Sequence, residues 1–228
     1  MNYYHQKWLI VLIIIVGLIL AFTTLVFFLS RSNIEPTTNP TPVFDNLPIS
    51  DPKRQLAEKL DRPSFGNPDA KLVIVEFSDF QCPVCQAEFP IIREIISKYQ
   101  DRIFFIYRQY PIINENSLAV SMASLCAQEQ NKFWPMHDRL FLKPSNNFSR
   151  NDLNQIAQQA GLALPQFDNC LSSEKYKGIV TADFADAVAL QVPGTPTFFV
   201  NGNRLSGQIS KANWEIIIDQ SLKLLNNK

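Results

Sequence analysis

The stretch that most constrains this chain runs from Leu72 to Tyr99. It opens on an apolar, β-branched run, Leu72 to Val75, which reads as a buried strand. After a short loop comes Cys82-Pro83-Val84-Cys85, and then Ile92, Ile95, Ile96 and Tyr99 recur at helical spacing. Pro83 stands where a first helical residue would, because its fixed φ suits that place and its missing N–H is not needed there. Strand, loop and helix in this order put Cys82 beside the free N–H groups of a helix start. Those groups and the helix dipole favour a thiolate over a thiol, and the thiolate is the nucleophile. Cys85 lies one turn further in, close enough to attack a mixed disulfide on Cys82. The outline is a dithiol–disulfide exchange site in which Cys82 attacks and Cys85 resolves.

A bare C-x-x-C also occurs as a structural bridge or as half of a zinc site. Here Cys126 and Cys170 do not form a second such pair, and neither histidine is spaced as a zinc partner, so no metal site is expected. Three further features narrow the reading. Glu76 lies six residues before Cys82, Pro90 lies five after Cys85, and Gly194-Thr195-Pro196-Thr197 precedes a second apolar run. In this combination the chain resembles the thioredoxin superfamily, specifically its DsbA-like branch, over roughly residues 63 to 225. The resemblance implies that Glu76 carries the proton of the second thiol. It also implies a cis Thr195–Pro196 bond packed against the active-site pair, with the Thr195 backbone exposed to an extended substrate segment as an added strand would be. No cofactor is implied.

The rest of the chain is read as one α/β domain of the thioredoxin fold, β-α-β followed by β-β-α, with a helical insertion. Arg102 to Tyr107 is a second buried strand, which makes a parallel β-α-β unit. Helical patterns follow at Ser117 to Glu129, Phe133 to Leu142, Asp152 to Ala160 and Pro165 to Leu171, an insert over about residues 115–172. In the DsbA-like branch a helical subdomain stands in this place and caps the active site. His137 and the Trp134 region pack that insert. Within it, Cys126 and Cys170 either form a structural bridge, the reading taken here, or remain two separate buried thiols. Glu174 to Gln191 reads as a long helix with Tyr176, Val180, Phe184 and Val188 on one face. Thr197 to Val200, the turn Asn201-Gly202, Asn203 to Ser206 and a last helix from Lys211 to about Leu225 close the domain.

Upstream the chain changes character. Trp8 to Leu29 is free of charge, and at about 1.5 Å per residue it spans roughly 33 Å, enough for a bilayer core of about 30 Å. It exceeds the apolar region of a cleaved leader and no A-x-A-like site follows, so an uncleaved anchor is expected over residues 1–30. A Pro/Thr/Asn-rich linker and lead-in then cover residues 31–60, with a short helix over Asp51 to Leu60, and the catalytic domain occupies 61–228. Flanking charge hardly orients the span. The chemistry does so better, since an oxidising thiol pair and four cysteines belong outside the reducing cytosol. The expectation is a single-pass cell-membrane protein with its amino end cytoplasmic and its catalytic domain extracytoplasmic.

Balanced charge, 21 basic against 21 acidic residues, leaves no electrostatic footprint for nucleic acid. The expected reaction is disulfide formation in cysteine-containing exported polypeptides by a monomer. The resemblance implies reoxidation by a quinone-linked membrane protein of the DsbB-like or vitamin-K-epoxide-reductase-like kind. Val84 occupies the place where the strongest oxidants of the branch carry a histidine that donates to the thiolate, so a milder oxidant is expected. A disulfide reductase or isomerase of the same fold is the alternative. A redox-inactive tethered binding module is the alternative from another class.

Overall fold

The computed structural model of the chain describes residues 8, 15–26, 51–143 and 147–226. Residues 15–26 are helical, and the chain divides into two units, Met1–Thr41 and Pro42–Lys228. Among the described residues no helix is long and apolar enough to cross a membrane. Of the expected span Trp8 to Leu29 residues 8 and 15–26 are described; the remainder of it and the linker to residue 50 lie outside the described residues.

In the second unit, α1 (Asp51–Ala57) leads into β1 (Ser64–Gly66), β2 (Leu72–Ser78), α2 (Pro83–Lys98) and β3 (Ile103–Gln109). Four helices follow: α3 (Ser117–Gln128), α4 (Phe133–Leu142), α5 (Arg150–Gln159) and α6 (Leu164–Ser172). The domain closes with α7 (Lys177–Ala189), β4 (Thr197–Val200), β5 (Asn203–Ser206) and α8 (Lys211–Asn226). The sheet order is β1-β3-β2-β4-β5. β2 and β3 are parallel and joined by α2, while β1, β4 and β5 are added antiparallel. This is the thioredoxin arrangement of a mixed sheet, with a helical insert between β3 and α7.

Alternation on β2 divides the core in two. Leu72 and Ile74 join Phe105, Tyr107 and Phe198 under α2, α8 and the insert, whereas Val75 and Phe77 join Phe104, Ile106 and Phe199 under α1 and α7. The central strands are buried on both faces, which is why they read as continuous apolar runs. Short β1 carried no pattern long enough to read. Its end is fixed by Gly66 at φ +96°, where an added Cβ would come within 2.4 Å of the Ile103 carbonyl oxygen. At Asn201-Gly202 the left-handed φ values of 45° and 84° make the expected tight hairpin between β4 and β5.

One helix face differs from expectation. The buried residues of α7 are Val180, Asp183 and Ala187, while Phe184 and Val188 are exposed. The helix also starts later than expected, at Lys177, after Glu174 adopts φ 50°. A buried charge cluster accounts for the rotation. Arg108 on β3 donates from Nε to Asp183 Oδ1 at 2.9 Å and from Nη2 to Asp186 Oδ2 at 2.5 Å. Its Nη1 caps the carbonyls of Leu56 and Ala57 at the end of α1. Arg62 donates to Asp183 at 2.7 Å, and the Gln109 amide donates to its other oxygen. Buried ions persist only when paired and fully hydrogen-bonded, so this network turns α7 to present Asp183 rather than Phe184.

Within the insert, Cys126 on α3 and Cys170 on α6 are joined by a disulfide with Cα atoms 5.8 Å apart. His137 on α4 is buried within a ring of aromatic side chains, including Phe80, Tyr107, Phe133 and Phe141. Burial lowers its pKa, and its Nδ1 meets Asp138 at 2.9 Å. It is packing for the insert, as read from the sequence.

Candidate active site

Cys82 is the N-cap of α2, with extended φ and ψ of −79° and 120°, and its sulfur accepts from the Cys85 amide at 3.4 Å. The loop that sets it there is held by Asp79, a buried residue whose role was not read from the sequence. Asp79 Oδ1 accepts from the Gln81 amide, and Oδ2 accepts from the amides of Ile112 and Ile113, each at 2.9 Å. The Asp79 carbonyl accepts the Cys82 amide at 3.0 Å. An aspartate two residues before a backbone donor is a local turn signal. Its long-range partners are visible only in the fold.

Cys82 and Cys85 are both free thiols and both buried. Their acidities diverge. The Cys82 thiol falls from 9 to about 6, first because the Cys85 side chain hydrogen-bonds to it, then through Thr195 and the amides of Cys85 and Val84, with burial opposing. Burial, followed by the hydrogen bond and charge of Cys82, drives the Cys85 thiol well above its ordinary value. The pair therefore ionises at the outer sulfur. Val84, between the two, is 42% exposed and brings no side-chain donor.

The Thr195–Pro196 bond is cis and delivers the Thr195 carbonyl to within 3.2 Å of the Cys82 sulfur, which donates to it as a thiol. The Thr195 hydroxyl is buried without a partner among the described residues. Once the proton leaves Cys82 that hydroxyl is the donor at hand, consistent with the part Thr195 plays in lowering the pKa. The fold thus brings Cys82, Cys85, Thr195 and Pro196 together.

Glu76 is 3% exposed on β2, beneath the pair. Burial, with the charges of Glu88 and Cys82, raises its carboxyl to about 8 against the lowering effect of the Ser78 hydroxyl. Near neutral pH it is therefore mostly an acid holding a proton, rather than a base. A second buried carboxyl, Glu88 on α2, accepts from Trp214 Nε1 at 2.6 Å and from the Ile209 amide at 3.0 Å. Burial lifts it to about 7. Its signal in the sequence was an acidic residue one turn after Cys85 on the apolar face of the helix. Gln86 fastens the same helix to the insert by donating to the carbonyls of Phe141 and Lys143.

A thioredoxin family model (Thioredoxin_4) matches residues 58–220. This chain belongs to that family. It is similar to a thioredoxin-like oxidoreductase from Silicibacter pomeroyi DSS-3, with a TM-score of 0.67 and 25% identity over 74% of this chain and 96% of that one. The thiol-disulfide exchange protein alpha-DsbA2 from Wolbachia pipientis shares the fold, with a TM-score of 0.68 and 20% identity over 76% and 92% of the two chains. The family match and the shared fold place the chain in the thioredoxin superfamily. Among curated proteins, Na(+)/H(+) antiporter NhaA 3 of Salinispora tropica is 34% identical over 144 residues, 62% of this chain. The matched part is 22% of that antiporter's length, so the chain spans under a quarter of the curated relatives named here.

Proposed function

We propose that this family member is a membrane-anchored, extracytoplasmic oxidase that forms disulfides in exported polypeptides through Cys82 and Cys85. The observation that carries the reading is the split between the two thiols, one down at about 6 and the other pushed well above 9. A stabilised outer thiolate stabilises the reduced enzyme, and an enzyme that prefers to be reduced oxidises its substrates. In the exchange a substrate thiolate attacks Cys82, and Cys85 leaves. A second substrate thiolate then attacks the substrate sulfur of the mixed disulfide, and Cys82 leaves as a thiolate. A quinone-linked membrane partner of the DsbB-like or vitamin-K-epoxide-reductase-like kind restores the disulfide.

The strength of the oxidant follows from the same number. Thiol pKa values of about 7 and about 3.5 accompany the reducing and the strongly oxidising ends of this superfamily, and a value near 6 lies between them. Val84 gives the physical reason, having no donor for the thiolate. The uncharged run Trp8 to Leu29 supports the anchor, and the Cys126–Cys170 disulfide supports an oxidising compartment. A redox-inactive binding module is disfavoured, because its Cys82 would titrate near 8.5 like an ordinary thiol.

The reduction potential of the Cys82–Cys85 couple, measured against glutathione buffers, tests the direction. The expected value lies between about −120 and −270 mV. A value at or below about −270 mV would make the protein a reductase.

A further inference from the structure

The side chains through which α2 meets the insert recur at helical spacing, on the same stripe as Cys82. Gln86, Phe89 and Arg93 share that face, and the Gln86 amide donates to the Cys82 carbonyl at 3.0 Å, one turn away. Arg93 holds both carboxyl oxygens of Asp138 on α4, each at 3.2 Å. Phe89 packs on His137 and Phe141, with ring centroids 5.8 and 5.3 Å away. Gln86 reaches the end of α4, where its Nε2 donates to the carbonyls of Phe141 and Lys143, each at 2.9 Å. Partner numbers on α4 thus rise as those on α2 fall. The two helices run antiparallel along the stripe, and α4 ends about one turn short of Cys82.

The last carbonyls of a helix have no partner within it. At the end of α4 the amide hydrogens of one side chain meet this need, and that side chain belongs to the active-site helix. Phe141 is fixed a second time by Phe80, two positions before Cys82, at a ring separation of 4.9 Å. Between the two gripped carbonyls stands Leu142, whose side chain is 68% exposed. Gln86 therefore decides where the end of the insert stands relative to the exchange site, and Leu142 is the apolar side chain that it holds out there.

We propose that Gln86 is a positioning residue for polypeptide substrates: it holds the end of α4 as one wall of the path to Cys82, where Leu142 meets an apolar side chain near the substrate's reacting cysteine. The proposal rests on the exchange reading of Cys82 and Cys85 and adds a preference among polypeptides to it. An extended chain advances about 3.3 Å per residue, and one helical turn is about 5.4 Å. A side chain about two positions from the bonded cysteine therefore comes level with Leu142. A small thiol does not span that distance and meets only the sulfur and its immediate surroundings. Gln86 spends its side-chain donors on the insert and leaves the acidity of Cys82 to the groups already described.

The test uses the full chain in detergent, oxidised at Cys82–Cys85, with two reductants: dithiothreitol and a dithiol peptide that carries leucine two positions from a cysteine. Stopped flow gives the rate against reductant concentration for the wild type, Gln86→Met and Leu142→Ser. Thiolate absorbance of the reduced proteins gives the Cys82 pKa. Gln86→Met keeps the length of the side chain and removes its donors. Half-saturation by the peptide should need about tenfold more of it in each variant. The limiting peptide rate, the dithiothreitol rate and the Cys82 pKa should stay at their wild-type values. Should Gln86→Met fail to fold, Leu142→Ser, at an exposed position, carries the same prediction. Half-saturation equal to wild type, or an equal loss with dithiothreitol, would overturn the proposal and leave the exchange reading intact. A wild-type protein inert to both reductants would overturn the exchange reading and the proposal with it.

Discussion

The sulfur of Cys82 lies 3.2 Å from the carbonyl oxygen of Thr195, although 113 positions separate the two residues in sequence. This contact makes a helix start into a reactive centre. The helix alone supplies amides to the sulfur from one side. The loop ahead of β4 closes the other side, excludes water and adds a hydroxyl. While Cys82 is protonated it donates to the carbonyl. When it ionises, that bond is lost and the Thr195 hydroxyl becomes its natural replacement.

Thr195→Val keeps the shape of the loop and removes the hydroxyl. A hydrogen bond to a charged group contributes about 1.5–3 kcal/mol, and each pKa unit is about 1.36 kcal/mol. The Cys82 pKa should rise by about one to two units, and the protein should become a weaker oxidant. Thiolate absorbance against pH measures this. An unchanged titration would mean that the hydroxyl does not reach the sulfur.

Glu76 should shape stability as well as catalysis. Its folded pKa is raised to about 8 from an ordinary 4.5, so its contribution is complete below about 4.5 and is lost as pH rises through about 8. Cys82 runs the other way: its depressed value gives stability that is complete above about 9 and lost as pH falls through about 6. In the reduced protein Glu76→Gln removes only the first effect. Urea unfolding should find the variant more stable than wild type at pH 8.5, by up to about 4 kcal/mol, with the gap closing towards pH 5. Parallel profiles for the two proteins would contradict a buried, protonated Glu76.

Asp183 should matter more than any surface charge. It pairs with Arg62 and Arg108 and accepts the Gln109 amide, and both its side chain and that of Arg108 are fully buried. Asp183→Ala removes the buried anion that two guanidinium groups share, leaving Arg108 with Asp186 and Arg62 with the exposed Asp61, and loss of one partner of a buried pair costs about 3–5 kcal/mol. Chemical unfolding should register that loss, while the thiol titration of the still-folded variant stays at the wild-type value. A cost below about 1 kcal/mol would mean that water replaces the carboxylate.

The Cys126–Cys170 disulfide closes a loop with a sequence separation of 44 residues. Chain-entropy arguments assign such a loop about 4 kcal/mol. The double variant Cys126→Ala, Cys170→Ala should lose stability of that order in urea and keep the alkylation rate of Cys82. If Cys82 reactivity fell as well, the insert disulfide would be coupled to the exchange site rather than a brace for the insert.

Much of this protein was written in local pattern. Apolar runs bounded by turn residues gave β2, β3 and β4, helical spacing gave α2, α4 and α8, and Asn201-Gly202 gave the last hairpin. Cys82 and Cys85 could be named because a C-x-x-C at a helix start has local chemistry, whereas Glu76, Thr195 and Pro196 were named through the family resemblance. β1 escaped because three residues carry no period. The inward face of α7 was misjudged because an aspartate on a helix ordinarily faces water.

What only the tertiary structure decided is which polar groups meet without solvent. Asp183 faces inward because Arg108 and Arg62 await it. Asp79 fixes the active-site loop because Ile112 and Ile113 bring their amides to it. Glu88 is buried because Trp214 and the Ile209 amide supply its hydrogen bonds, and Glu76 holds a proton because the sheet and α2 remove the water that would stabilise its charge. Sequence periodicity reports how a side chain partitions between water and an apolar interior. The fate of a buried polar group depends on partners from 33 to 126 positions away, and only the fold selects them.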